Sequence, residues 1–558
     1  MNKDNTASYL IRKSPVIRSI LWIGAGVLFL IISLLFGLRV KERPVIYSLN
    51  PPIGSPGDLI IINGKGFGNI RDTNYVEFGG FKLTSSSYIS WTDTEIKVVL
   101  PANVQEGLVI VGTKNARSKP SFFANTTAAP VAVTSNTLTT TPLITIVSPE
   151  KIYPGTLLTI SGSNFGSTRD HSKVYFSSER ESTTDSDFSY IAASEDDFNY
   201  EYWSDNEIHV RIPDGASSGN FYVETPKGKS SPRKIEIDER AGKKSFISPK
   251  TYVIQVYVDI EESSGDKDSS IILRCPRPFE TSNQPSVTLT DCSPEPVIND
   301  FQHTVIQQVS GSKGTFGKKR FKHDFAVTVY ETRTEIHAAR LNPNATVTDN
   351  LKAVATKADA LIPSADPDVI ALAKKITKGE TNHYNIAALI YNYMLKNYVI
   401  LNDVRKGNIS PLDLIRTKKG DAYDFAVIYT ALLRAMGIPS YTDSGVLVES
   451  DLKTRDHWWS EFYLAGFGWI PVDTALGAGL NYTPWIKDIE PERYYFGNLD
   501  GQHIVFSRGW NEIKPSAPNN KTVQRPRSYA LQEIWEEASG EKIKYSSYWA
   551  NPVVIGVY

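Results

Sequence analysis

The chain has 558 residues, 22% of them charged, and a formal net charge of −1. That length calls for several domains. The balanced charge gives no support to a nucleic-acid partner, and the basic cluster "GKKRFKH" at 317–323 reads as a solvated loop. Two cysteines, Cys275 and Cys292, stand without any CxxC or Cys/His spacing, so no zinc site and no cofactor is expected.

From the N-terminus, residues 19–38, "SILWIGAGVLFLIISLLFGL", hold no charge. As a helix they would span roughly 30 Å, the thickness of a bilayer's hydrocarbon core. "RVKERPV" follows in place of a small-residue cleavage site, which favours an uncleaved anchor over a signal peptide. Lys3, Arg12, Lys13 and Arg18 before the span put residues 1–18 in the cytoplasm. The expectation is a single-pass cell-membrane protein with its bulk outside the cytoplasm. That compartment permits a Cys275–Cys292 disulfide, and two buried thiols are equally compatible.

An internal repeat comes next. "NPPIGSPGDLIIINGKGFG" at 50–68 aligns with "SPEKIYPGTLLTISGSNFG" at 148–166, and "WTDTEIKVVLP" at 91–101 with "WSDNEIHVRIP" at 203–213. Alternating apolar residues broken by Pro-Gly and Gly predict short antiparallel strands in a small sandwich. P-x-x-x-x-P-G at Pro51–Gly57 and Pro149–Gly155, with I-x-G-x-x-F-G at Ile62–Gly68 and Ile160–Gly166, resembles the immunoglobulin-like IPT/TIG domains. The two copies cover 44–124 and 142–238, joined by a Thr/Ala/Pro linker at 125–141.

Residues 250–345 again alternate as strands. From 367 the period becomes helical in "PDVIALAKKI", "NIAALIYNYMLKNY" and "DAYDFAVIYTALLRAMG", and alternation returns in "HWWSEFYLAGFGWIPVD". Helices followed by a sheet predict an α+β domain over 350–510. The segment 511–558 is expected to hold an amphipathic helix at about 527–538.

Within "GDAYDFAVIYTALLRAMGIP", Asp421 suits a helix N-cap, Gly437 its end and Pro439 its stop. Position 422 therefore lies in the first turn. A cysteine there would be a nucleophile at neutral pH, its pKa lowered by the free amide groups. The residue is Ala422. His457 and Asp473 flank a Gly-rich hairpin turn that would bring them to one face of a sheet, as a base and the carboxylate that orients it.

Together these segments resemble the transglutaminase-like family, whose members carry a papain-type Cys-His-Asp set. The matching residues are Gly420 to Ala426, Leu432 to Pro439, His457-Trp458-Trp459-Ser460-Glu461, Gly466-Phe467-Gly468-Trp469 and Asp473-Thr474. "YFGNLDGQHIVFS" at 495–507 is similar to the segment that closes many bacterial members. The resemblance places the missing cysteine at Ala422, the base at His457 and the orienter at Asp473, with Asp421, Tyr423, Trp458, Trp459 and Glu461 as cleft candidates. Together with the uncharged span at 19–38 and the two repeats, it gives the expectation of a multidomain chain with an N-terminal transmembrane helix, two all-β immunoglobulin-like sandwiches, a β domain and an α+β transglutaminase-like core.

Three functions follow from Ala422. One is a pseudoenzyme that binds a peptide or protein, such as a cell-envelope protein, in its cleft. Another is a papain-like peptidase or transglutaminase whose nucleophile has been replaced by alanine. The third is a purely structural surface protein. Hydrolysis by water or a metal on His457 and Asp473 is disfavoured because a single histidine is placed for it.

Overall fold

The structure, a computed structural model, describes residues 43–558 apart from short internal segments, the longest at 126–140 and 182–188, together with residues 15, 16 and 27. The expected tail at 1–18, the apolar span at 19–38 and the linker at 125–141 thus lie almost wholly outside the described residues. Among the described residues no helix is long and apolar enough to cross a membrane.

Each repeat forms a two-sheet antiparallel sandwich, and the two follow one plan. In the first, strand Val45–Asn50 pairs with Leu59–Lys65 and is bulged between Ile46 and Ser48. In the second, Leu143–Ser148 pairs with Leu157–Ser163 and is bulged between Ile144 and Ile146. The I-x-G-x-x-F-G motif has a packing reason. A Cβ on Gly162 would sit 1.9 Å from the Leu143 carbonyl oxygen and 2.5 Å from the Phe165 ring, and Gly64 is equally crowded by Val45 and Phe67. Glycine lets the strand and the buried phenylalanine meet.

The first sandwich is a compact unit of its own, and residues 124–558 form a second. In that second unit the β domain begins earlier than residue 250, because one long strand, β1, runs over Gly242–Ser264. Strands β2 (Ser270–Pro276), β3 (Ser286–Ser293) and β4 (Lys319–Ile336) follow. β3, β4 and β1 share one sheet, and β2 lies in another. Cys275 on β2 and Cys292 on β3 are therefore on different sheets, and both are free thiols. The disulfide alternative is corrected: sequence proximity did not place the two strands side by side.

The core module starts with helices α1 (Pro367–Thr377), α2 (His383–Asn397) and α3 (Ala422–Ala435). Its four-stranded sheet has the order β7-β6-β5-β8, with β5 Ser440–Val448, β6 Thr454–Leu464, β7 Gly468–Val472 and β8 His503–Arg508. A short helix, α4 (Thr474–Gly477), follows β7. Every residue of β5 is buried, because α3 covers one face of the sheet and the β domain the other.

The last segment is extended, and the helix expected at 527–538 is absent. Strands β9 (Glu536–Ser539), β10 (Lys544–Trp549) and β11 (Val553–Val557) complete the β domain, β9 beside β2 and the other two beside β1. Tyr529, Trp535 and Trp549 enter its core. Within the expected helix Ala530, Leu531, Ile534, Trp535 and Ala538 fall at helical spacing, but partners distant in sequence take them as strand and loop residues.

Gly162→Ala should lower the stability of the second sandwich by at least about 2 kcal/mol, since a backbone carbonyl must move to admit the methyl group. Limited proteolysis of the full chain should then cut first within 142–238.

Candidate active site

Helix α3 begins where a Gly-Asp turn delivers it. Asp421 is the N-cap: its side chain accepts from the Asp424 amide at 3.0 Å, and the Asp424 side chain accepts from the Asp421 amide at 2.9 Å. This reciprocal box fixes Ala422 as the first helical residue. Residues 422–434 are all buried, so the helix is enclosed on every side rather than on one stripe.

Two arginines neutralise the buried carboxylates. Arg527 donates to both oxygens of Asp421 at 2.9 and 3.0 Å, to Asp424 at 2.9 Å and to the Ile409 carbonyl at 2.7 Å. Its guanidinium lies 4.4 Å from the centre of the Tyr423 ring. Arg405 pairs with Asp424 at 2.6 Å. Burial pushes the Asp424 carboxyl up to about 6, against the pull of Arg405 and Arg527. The segment carrying Arg527 thus crosses the start of α3, and Ala422 is 5% exposed.

β6 presents two faces. Trp458, Ser460 and Phe462 face α3: Tyr423 meets Trp458 edge-on at 5.5 Å, and Ser460 donates to the Ala426 carbonyl at 3.1 Å. His457, Trp459 and Glu461 alternate onto the other face. Asp473, the N-cap of α4, accepts from the amides of Ala475 and Leu476 through Oδ1 at 3.0 and 2.8 Å. Its Oδ2 is left for the His457 imidazole, whose Nε2 stands 2.6 Å away. The expected base and orienter are therefore paired, both fully buried.

Two residues absent from the sequence reading join them. His503 on β8 places Nε2 3.2 Å from the same Asp473 oxygen and Nδ1 2.8 Å from Asp500 Oδ1. The site therefore holds two histidines, which corrects the single histidine expected. The hint was the Asp-x-x-His spacing of Asp500 and His503 in the closing segment, but only the sheet order brings β8 to Asp473. Burial would raise the Asp473 pKa, yet His457 and His503 hold the carboxyl well below the usual range. Burial lowers the His457 pKa against the pull of Asp473. For His503 burial is outweighed by Asp500 and Asp473, and its pKa is pushed up to about 9. His457 is thus a neutral imidazole beside a carboxylate, suited to accept a proton from a nucleophile. Ala422 has none to offer. Loss of such a nucleophile costs about 10⁶-fold in turnover.

The cleft candidates divide between two places. Asp421, Tyr423 and Trp458 lie on the α3 side, closed by Arg527. Trp459 and Glu461 line a cleft of about 1320 Å³ on the opposite side, between the second sandwich, the 277–285 loop of the β domain and the core sheet. Arg508 joins its walls, pairing with Glu461 and, at 2.5 Å, with Asp197 of the second sandwich. Its guanidinium stacks 4.2 Å over Trp469.

Comparison with known proteins finds two families in the chain. Residues 370–474 match the transglutaminase-like superfamily, and 44–139 and 142–252 match the IPT/TIG domain. The chain carries a transglutaminase-like core behind two IPT/TIG domains. An 85-residue stretch is 40% identical to a cyclomaltodextrin glucanotransferase of Paenibacillus macerans, covering 15% of this chain and 12% of that protein. A 163-residue stretch is 28% identical to an uncharacterised protein of Haemophilus influenzae, covering 24% and 44%. The chain thus spans less than half the length of either relative. Among solved structures, a candidate cysteine protease from Cytophaga hutchinsonii aligns at 15% identity, TM-score 0.35, over 56% of this chain and 93% of that one. The periplasmic domain of TgpA from Pseudomonas aeruginosa aligns at 12%, TM-score 0.24, over 41% and 87%.

Next to His457, Asp456 faces the segment 524–529 across a small pocket, and burial pushes its carboxyl up to about 7 against the pull of Arg525. The folded chain then holds this proton better than the unfolded chain, so stability falls as pH rises from about 4 to 7, by up to about 4 kcal/mol. Asp456→Asn should match the parent near pH 4 and exceed it above pH 7 in denaturant midpoint. A variant less stable than the parent at pH 8 would contradict this assignment.

Proposed function

We propose that this chain is a membrane-anchored, extracytoplasmic transglutaminase-like protein that binds a peptide or protein without cleaving it. The observation that carries the reading is Ala422. The capped helix start and the His457–Asp473 pair support a site of the nucleophilic type, and the residue at the attacking position is Ala422. Neither cysteine can substitute, because Cys275 and Cys292 belong to strands of the β domain. Burial also pushes the Cys275 thiol far up, away from the reactive thiolate. The uncharged stretch at 19–38 supports the anchor, and the anchor in turn supports a ligand from the cell envelope. Tandem IPT/TIG domains suit the role of spacers.

The cleft beside Trp459 and Glu461 supports binding. It is wide enough for several residues of an extended peptide and mixes aromatic with charged walls. The second reading, an enzyme whose cysteine has been replaced, is favoured by one observation, the retained His457–Asp473 contact at 2.6 Å.

A peptide library presented to the unaltered full chain in detergent tests the proposal. The chain should retain a subset of peptides, lose them in Trp459→Ala, and release no cleaved or amine-linked product. Product formed by the unaltered chain and abolished by His457→Ala would overturn it.

A further inference from the structure

We propose that His457, Asp473 and His503 form a binding site for a divalent first-row transition-metal ion. The proposal is independent of whether the module binds a peptide. One ring nitrogen of each histidine and a carboxylate oxygen of Asp473 all lie within 4.8 Å of one another, and Nε2 of both histidines contacts Asp473 Oδ2. Bonds of 2.0–2.2 Å at tetrahedral angles put neighbouring ligand atoms about 3.3–3.5 Å apart. The His503–Asp473 pair is already close to this spacing at 3.2 Å. The His457–Asp473 pair, at 2.6 Å, has to open by less than about 1 Å.

The outer contacts hold the three ligands as a metal site requires. His503 Nδ1 is oriented by Asp500 at 2.8 Å, and Asp500 accepts in turn from the Tyr495 hydroxyl at 2.8 Å and the Gln502 amide at 3.0 Å. A carboxylate behind a ligating imidazole fixes its ring and turns the other nitrogen's lone pair toward the metal. On Asp473 the amides of Ala475 and Leu476 occupy Oδ1 and leave Oδ2 free to ligate.

Both nitrogens of His503 face carboxylate oxygens, Nδ1 that of Asp500 and Nε2 that of Asp473. The residues are sealed, with exposures of 1% for His457 and His503 and 0% for Asp473 and Asp500. A divalent ion at this position would offset the charge of the two buried carboxylates, and buried charge left unbalanced is costly. Arg455, the basic group acting on His457, is already paired with Glu449 at 3.0 Å. Two imidazoles and one carboxylate suit zinc, cobalt or ferrous iron rather than magnesium or calcium. His503 also lines the wide cleft beside Trp459, Leu499 and Val505, which gives the ion a way in.

Untagged full chain in detergent, stripped with chelator, would be titrated with Co²⁺ and followed by visible absorption, then with Zn²⁺ by calorimetry. One equivalent should bind, with the ligand-field bands of a low-coordinate cobalt site. His503→Gln and Asp473→Asn should abolish the bands, Asp500→Asn should weaken binding by about 10–100-fold, and His171→Gln on the exposed surface should change nothing. Zinc-edge X-ray absorption should count two imidazoles, a reading that needs no variant to fold. No bound ion in the native chain, or one equivalent that persists in both His503→Gln and Asp473→Asn, overturns the proposal and leaves a doubly protonated His503 in the gap.

Discussion

Asp421 and Asp424 bury two carboxylates at the start of a helix that is enclosed on every side, and that constraint shapes the module around it. Capping needs them: together they satisfy the first free amides of α3. Burial makes them untenable alone, since an unpaired buried charge destabilises by several kcal/mol. Arg405 and Arg527 resolve the conflict, and Arg527 comes from the far end of the chain. To reach α3 the C-terminal segment must cross the module, and in doing so it supplies β9, β10 and β11 to the β domain. The core helix and the β domain are therefore mutually dependent, and β5 stands between them: Leu447 packs in the cluster of α3, and Val446 and Val448 pack in that of the β domain.

The same constraint separates two functions that a nucleophilic enzyme would combine. The α3 face of β6 carries the helix start and is closed by Arg527. The opposite face carries His457, Trp459 and Glu461 toward Asp473, His503 and the open cleft. With a methyl group at position 422, the enclosed face is packed core. The chemistry that remains, two histidines and two carboxylates in a line, belongs to the open side. A site that keeps such charges buried without a nucleophile has to balance them by other means, whether with protons or with a metal ion.

Much of this was legible in the sequence because the signals were local. The doubled I-x-G-x-x-F-G motif marked a place where only glycine fits, and it reported both sandwiches. The Asp421 cap, the Gly437 end and the apolar run between them reported α3, although not its burial on all sides, which depends on neighbours far away in the chain. His457 and Asp473 were readable because a single hairpin joins them. His503 and Arg527 were not, since each reaches the site only through the fold. The C-terminal segment misled for the same reason: its apolar residues over 530–538 fall at helical spacing, and sheet edges remote in sequence take the segment as strands and loops.

The central proposal is that the start of α3, capped by Asp421 and covered by Arg527, is a nucleophile position at which Ala422 supplies only a methyl group. The alkylation rate of an Ala422→Cys variant, measured against pH with and without Arg527→Ala, tests it most directly. The account predicts a thiol that reacts with an inflection well below the ordinary cysteine value of about 8.5. Arg527→Ala should speed the reaction by uncovering the thiol, and His457→Ala, on the opposite face of β6, should leave the inflection in place. A thiol that stays inert in both backgrounds, or titrates as a free cysteine, would contradict the account.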